Sequence, residues 1–141
     1  MNNIIIDSGF WFALYDPRDA NHRNANNISE YLTLGNILMP YPTLYETINS
    51  RFAKRVHWMN EFENLVYQRN VNFIDDSDYK DEAINLTFNT NNLPIYAISL
   101  VDMTIRLMLD DNRLNIDYLI SFDRHDFIDV CHKNFIEIIS S

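Results

Sequence analysis

Strands alternating with helices predict an α/β protein whose parallel sheet is covered on both faces. Three observations carry that prediction. Ile4-Ile5-Ile6 is a continuous β-branched run, as a strand buried on both faces requires, and it ends abruptly at Asp7-Ser8. Tyr118-Leu119-Ile120-Ser121-Phe122 repeats the pattern near the other end and runs into Asp123. Between them, short apolar runs alternate with stretches of helical period. Open α/β sheets bind ligands beyond the carboxyl ends of their strands, so Asp7 and Asp123 fall where chemistry usually sits.

In chain order, Ser8 to Tyr15 is apolar enough for a short buried helix, which Asp16-Pro17 ends. Residues 18–33 predict a second helix, with Ala25, Ile28 and Leu32 in register and Gly35 as its stop. Asn36 to Met39 reads as a strand, and Pro40-Tyr41-Pro42 as an extended connection. Thr43 to Arg51 and Val56 to Arg69 resume helical period, followed by a strand at Val71 to Ile74. Tyr79, Ala83 and Leu86 mark a further helix, Asn91-Asn92-Leu93-Pro94 a turn, and Ser99 to Asp111 the clearest helix, with Val101, Ile105 and Leu109 in register. A helix near Asp126 to Lys133 and a strand from Phe135 to Ile139 complete the pattern.

The chain's 141 residues suit one domain, residues 1–141, and 47% hydrophobic content is ample for its core. No run of about 18 apolar residues is present to span a bilayer, and Met1-Asn2-Asn3 offers no basic region ahead of the isoleucines. A cytoplasmic protein without a membrane segment is expected. Cys131 is the only cysteine, which excludes an intrachain disulfide. His22, His57, His125 and His132 make no helical ligand pair, so zinc is not expected. A net charge of -9 argues against holding duplex nucleic acid on a broad basic face; any such contact must be local.

Four carboxylates fall at element junctions: Asp7, Glu46, Asp102 and Asp123. Each has a structural explanation. Thr43-Leu44-Tyr45-Glu46 and Ser99-Leu100-Val101-Asp102 have the form of capping boxes, and Asp7 and Asp123 can cap the helices that follow them. Capping does not explain why all four gather at one edge. At about 4 Å and an effective dielectric near 20, each close pair would cost on the order of 4 kcal/mol. Either the acids spread apart or a divalent cation sits among them, and oxygen-only ligands point to Mg²⁺ or Mn²⁺. Such an ion suits a phosphodiester, and no serine, cysteine or lysine stands in an activating arrangement.

The same residues carry a resemblance. Ile4 to Leu14 with Asp16-Pro17-Arg18-Asp19 and His22, then Pro42 to Glu46, Ser99 to Asp102, and Ile120 to Phe127, resemble in order the four motifs of PIN domains. The resemblance implies a three-layer α/β/α sandwich and a metal-dependent endoribonuclease site. Asp7, Glu46, Asp102 and Asp123 fall on the family's acidic positions, with Ser8, Ser121 and Asp126 in support; Ser121 stands where threonine is commoner. Many small PIN domains are VapC-like toxins of toxin-antitoxin pairs, so the resemblance also implies an RNA substrate, a homodimer and a small antitoxin protein. The rival reading is a catalytically inactive PIN-like module that binds protein.

Candidate RNA contacts are Arg124 and His125 after the last acid, and Arg51, Lys54 and Arg55, with His57, past Glu46. The latter group either holds phosphates or complements a helix C-terminus. Arg106, four residues after Asp102, reads as its helix-surface partner. Trp11 and the other aromatics read as core or dimer contacts rather than as base-stacking platforms.

Overall fold

In a computed structural model, which describes residues 1–90 and 97–141, the chain begins with β1 (Asn3–Ile6), α1 (Ser8–Tyr15), α2 (His22–Ile28) and α3 (Tyr31–Leu34). There follow β2 (Asn36–Pro40), α4 (Tyr41–Thr47), α5 (Ser50–Ala53), α6 (Val56–Val66), β3 (Val71–Ile74) and α7 (Lys80–Thr90). After α8 (Leu100–Leu109) and a 3₁₀ turn at Asn112–Leu114 come β4 (Tyr118–Ile120), α9 (Arg124–Lys133) and β5 (Glu137–Ile139).

The strands pair in parallel in the order β3-β2-β1-β4-β5. Central β1 pairs Ile4 with Ile37 on one side and with Tyr118 on the other. Its isoleucines are buried on both faces, which is why no polar residue interrupts them. Successive side chains alternate between faces. Ile4 and Ile6 pack with Phe10, Trp11 and Phe62 from α1 and α6, whereas Ile5 packs with Ile105, Met108 and Phe127 from α8 and α9. Two cores on opposite faces make the expected three-layer α/β/α sandwich. From β1 the sheet grows outward to β2 and β3, then on the other side to β4 and β5, so the direction switches between β1 and β4.

Several elements depart from expectation. The helix expected over residues 18–33 is two, α2 and α3, and it starts only at His22 because Asp16 and Asp19 turn the chain first, each accepting the N–H two residues on (Arg18 at 2.9 Å, Asn21 at 2.9 Å). Gly35 is not a left-handed stop, since its φ is -133°. A Cβ there would lie 2.6 Å from Cδ1 of Ile4, so close packing requires the glycine. Pro40-Tyr41-Pro42 is no extended connection: Pro40 caps α4, and Pro42 sits in the first turn, where no N–H is needed. α4 stops at Thr47 and α6 at Val66, both short of expectation. β4 ends at Ile120, α9 starts already at Arg124, and β5 begins at Glu137 because Phe135 is in the left-handed region at φ 57°. The turn expected at Asn91 to Pro94 lies outside the described residues. No helix among the described residues is long and apolar enough to cross a membrane.

Candidate active site

Asp7 leaves the end of β1 as the N-cap of α1 and is only 3% exposed. Its backbone N–H donates to the Ile120 carbonyl at 2.9 Å, which ties it to β4 across the switch point. Its carboxylate accepts from the Ser8 N–H at 2.8 Å and from the Ser121 hydroxyl at 3.0 Å. Burial pushes the Asp7 carboxyl up to about 6; the Ser121 hydrogen bond opposes that, and the charges of Asp123 and Glu46 add to it. Ser121, fully buried, also accepts the Asp123 N–H at 3.0 Å, so one hydroxyl joins the two strand-end acids.

Glu46 reaches the same place from α4, where it accepts the Ser8 hydroxyl. The capping box expected there does not form. Thr43 lies inside α4, buried, and its hydroxyl has no partner among the described residues. The box at α8 is half made: the Ser99 hydroxyl accepts the Asp102 N–H at 3.1 Å. The Asp102 carboxylate itself takes no partner among the described residues, and neither does that of Asp123, which stands at the N-cap of α9 without making a cap bond. Burial pushes Asp102 up to about 7, and the charges of Asp7, Asp126, Glu46 and Asp123 add to the shift. Asp7, Glu46, Asp123 and Asp126 therefore all lie within electrostatic reach of Asp102, and Glu46 and Asp123 within reach of Asp7.

Asp16 supplies the contrast. It is as buried as Asp7, yet the Arg18 N–H and the Arg51 and Arg18 guanidinium groups hold its carboxyl well below the usual range. Arg51 lies 2.7 Å from Asp16 and packs over the Phe12 ring, so its charge is already committed. The Arg55 guanidinium lies over Trp58, and His57 pairs with Glu61 at 3.0 Å. Lys54, Arg124 and His125 are exposed, and Arg124 donates to the Ile138 carbonyl. Trp11 is fully buried, edge-on to Phe10 and Phe62. Arg106 does not pair with Asp102. It crosses instead to α9, forking onto both oxygens of Asp129 at 2.7 Å and donating to the Asp126 carbonyl at 2.6 Å.

The donor set is carboxylate and hydroxyl oxygen, the chemistry that suits a hard divalent cation. As placed, no three His, Cys, Asp or Glu side chains among the described residues stand close enough to form a finished ligand set. The fit is thus one of donor type and location.

A parallel sheet of this order, covered on both faces and carrying carboxylates where its direction switches, defines a doubly wound α/β/α sandwich with a candidate site at its switch point. The fold is similar to that of VapC20 from Mycobacterium tuberculosis, a toxin that cleaves the sarcin-ricin loop: the TM-score is 0.70, over 94% of this chain and 96% of that one, at 18% sequence identity. At that identity the likeness is one of fold. No family model matches the sequence, and no curated protein does.

Proposed function

We propose that the chain is a metal-dependent endoribonuclease that hydrolyses RNA phosphodiester bonds, acting as the toxin of a toxin-antitoxin pair. The observation that carries the reading is the gathering of Asp7, Glu46, Asp102 and Asp123 at the sheet's carboxyl edge with no ion pair to any of them among the described residues. The likeness of fold to VapC20 supports it. Asp7, Asp102 and Asp123 would hold Mg²⁺ or Mn²⁺, and Glu46 would complete the site. Such an ion polarises the phosphate and lowers the pKa of bound water.

The chain's own residues do the rest. Ser121 fixes Asp7, and Ser8 fixes Glu46, so two acids from different elements keep their orientation before substrate arrives. Glu46 would serve as a further ligand or by orienting the attacking water. Attack in line forms one P–O bond and breaks the bond to the 3′ oxygen, which leaves a 5′-phosphate and a 3′-hydroxyl. A homodimer and a small antitoxin covering the acids belong to the same proposal.

The test is cleavage of labelled structured and single-stranded RNAs with Mn²⁺ or EDTA, beside Asp7→Asn. Cleavage that needs both metal and Asp7 supports the nuclease; cleavage indifferent to either overturns it. Growth arrest on expression of the wild type, but not of Asp7→Asn, tests the toxin role. The rival, an inactive protein-binding module, is favoured by the lack of a finished ligand set among the described residues. It predicts a melting temperature unmoved by millimolar Mn²⁺.

A further inference from the structure

A short column of aromatic rings rises along α4, the helix that carries Glu46. Phe73, next to last in β3, stacks on Tyr41 with centroids 5.5 Å apart and planes at 18°. Tyr45, one turn along α4 from Tyr41, continues the column at 6.1 Å and 36°. Its ring is 67% exposed, and its chain neighbour is the Glu46 that accepts from Ser8. A large aromatic group held in place from behind and open in front is a stacking surface. It stands at the carboxyl edge, on the β3 side of the acids.

Charge says what would use it. The chain carries -9, and of the basic groups considered for RNA binding Arg51 is spent on Asp16 and Arg55 lies over Trp58, which leaves Lys54, Arg124 and His125 exposed. Against a net charge of -9, three exposed basic groups give an RNA strand brought to the acids only modest phosphate neutralisation. Its affinity must come from the bases, whose faces stack on aromatic rings whatever their sequence.

We propose that Tyr45, backed by Tyr41 and Phe73, is a platform on which an unpaired nucleobase stacks next to the scissile phosphodiester; this rests on the ribonuclease reading. The platform accepts single-stranded or looped RNA and rejects a continuous duplex, whose bases are not free to stack. Binding should also depend weakly on salt, because few counterions are released.

The experiment uses the full chain and a labelled 12-nucleotide single-stranded RNA of mixed sequence. Affinity is read by fluorescence anisotropy in EDTA, and KM by cleavage in Mn²⁺. Tyr45→Ala should weaken affinity and raise KM by about 10-fold or more, with kcat held, while Tyr45→Phe stays within about two-fold of the wild type. Melting temperatures should match, since the ring is exposed. Tyr45→Ala with undiminished affinity and unchanged KM overturns the platform, as does equal loss in Tyr45→Phe. A Tyr45→Ala variant that keeps its RNA but changes sedimentation assigns the ring to a protein contact, and that too overturns the proposal. Wild type that cleaves in an Asp7-dependent way beside an unimpaired Tyr45→Ala removes the platform alone; wild type that neither binds nor cleaves removes the ribonuclease reading with it.

Discussion

The Ser121 hydroxyl donates to Oδ2 of Asp7 at 3.0 Å, across 114 residues of chain. That bond is the buried seam between the two strand ends that carry the candidate site. Removing it leaves a buried carboxylate oxygen without its donor, at a cost of roughly 1–3 kcal/mol. Ser121→Ala should lose about that much stability in urea at pH 7.5, and Ser121→Thr should retain most of it. At pH 5, where a carboxyl titrating at about 6 is mostly neutral, the loss should shrink. An equal loss at both pH values would separate the hydroxyl from the Asp7 charge.

The acids also set how stability responds to pH. Asp7 and Asp102 keep their protons to about 6 and about 7 in the folded chain, against an ordinary value of 3.8. Above the ordinary value the folded state binds more protons than the unfolded one, so the slope of stability against pH is negative. The stability linked to these groups is therefore present at low pH and lost as pH rises through about 6 to 7. Asp102→Asn removes one such charge and breaks no side-chain partnership. It should stabilise the protein at pH 7.5 by on the order of 1 kcal/mol after allowance for solvent screening of a half-buried group, with little effect at pH 4.5. Calorimetry at the two pH values checks this, and a variant less stable at pH 7.5 would refute it.

Arg106 ties the helix that carries Asp102 to the helix that Asp123 starts. Its side chain is 21% exposed and Asp129's is 65%, so the fork is worth about 1 kcal/mol and not the full value of a buried pair. A double-mutant cycle of Arg106→Met with Asp129→Asn should give a coupling of about that size. If the clamp also spaces Asp102 from Asp126, Arg106→Met lowers kcat and leaves KM unchanged in the cleavage assay. A change in KM alone would assign Arg106 to substrate instead.

Legibility in the sequence followed range. β1 and the Asp7 that ends it were readable because Ile4 to Ile6 state their burial in three consecutive letters. Ile105 and Leu109 were readable as core from helical spacing. What failed was local and proline-related: Pro42 looked like a barrier to helix and is in fact accommodated in the first turn of α4. What could not be read was long-range. That Ser121 bonds Asp7, that Arg106 prefers Asp129 to its own helix, and that Phe73 lies under Tyr41 all depend on strand order, which no spacing in the chain reveals.

Phe135 gives the last prediction. It follows α9 in a Schellman arrangement: the Ile136 N–H donates to the Cys131 carbonyl at 2.9 Å and the Phe135 N–H to that of His132 at 3.3 Å. That motif places its second capping residue at positive φ, a position that glycine fills without strain, yet a phenylalanine occupies it at φ 57°. A left-handed conformation costs a side-chain-bearing residue roughly 1–2 kcal/mol, and a ring that is 94% exposed recovers none of it by burial. Glycine relieves the strain but gives back roughly 0.4–1 kcal/mol by loosening the unfolded chain. Phe135→Gly should therefore stabilise by under about 1 kcal/mol, and Phe135→Asn, which tolerates the same φ with less freedom when unfolded, by a similar amount or more. Thermal unfolding of both variants checks it. A fall in both would show that the Phe135 ring makes a stabilising contact worth more than its backbone strain.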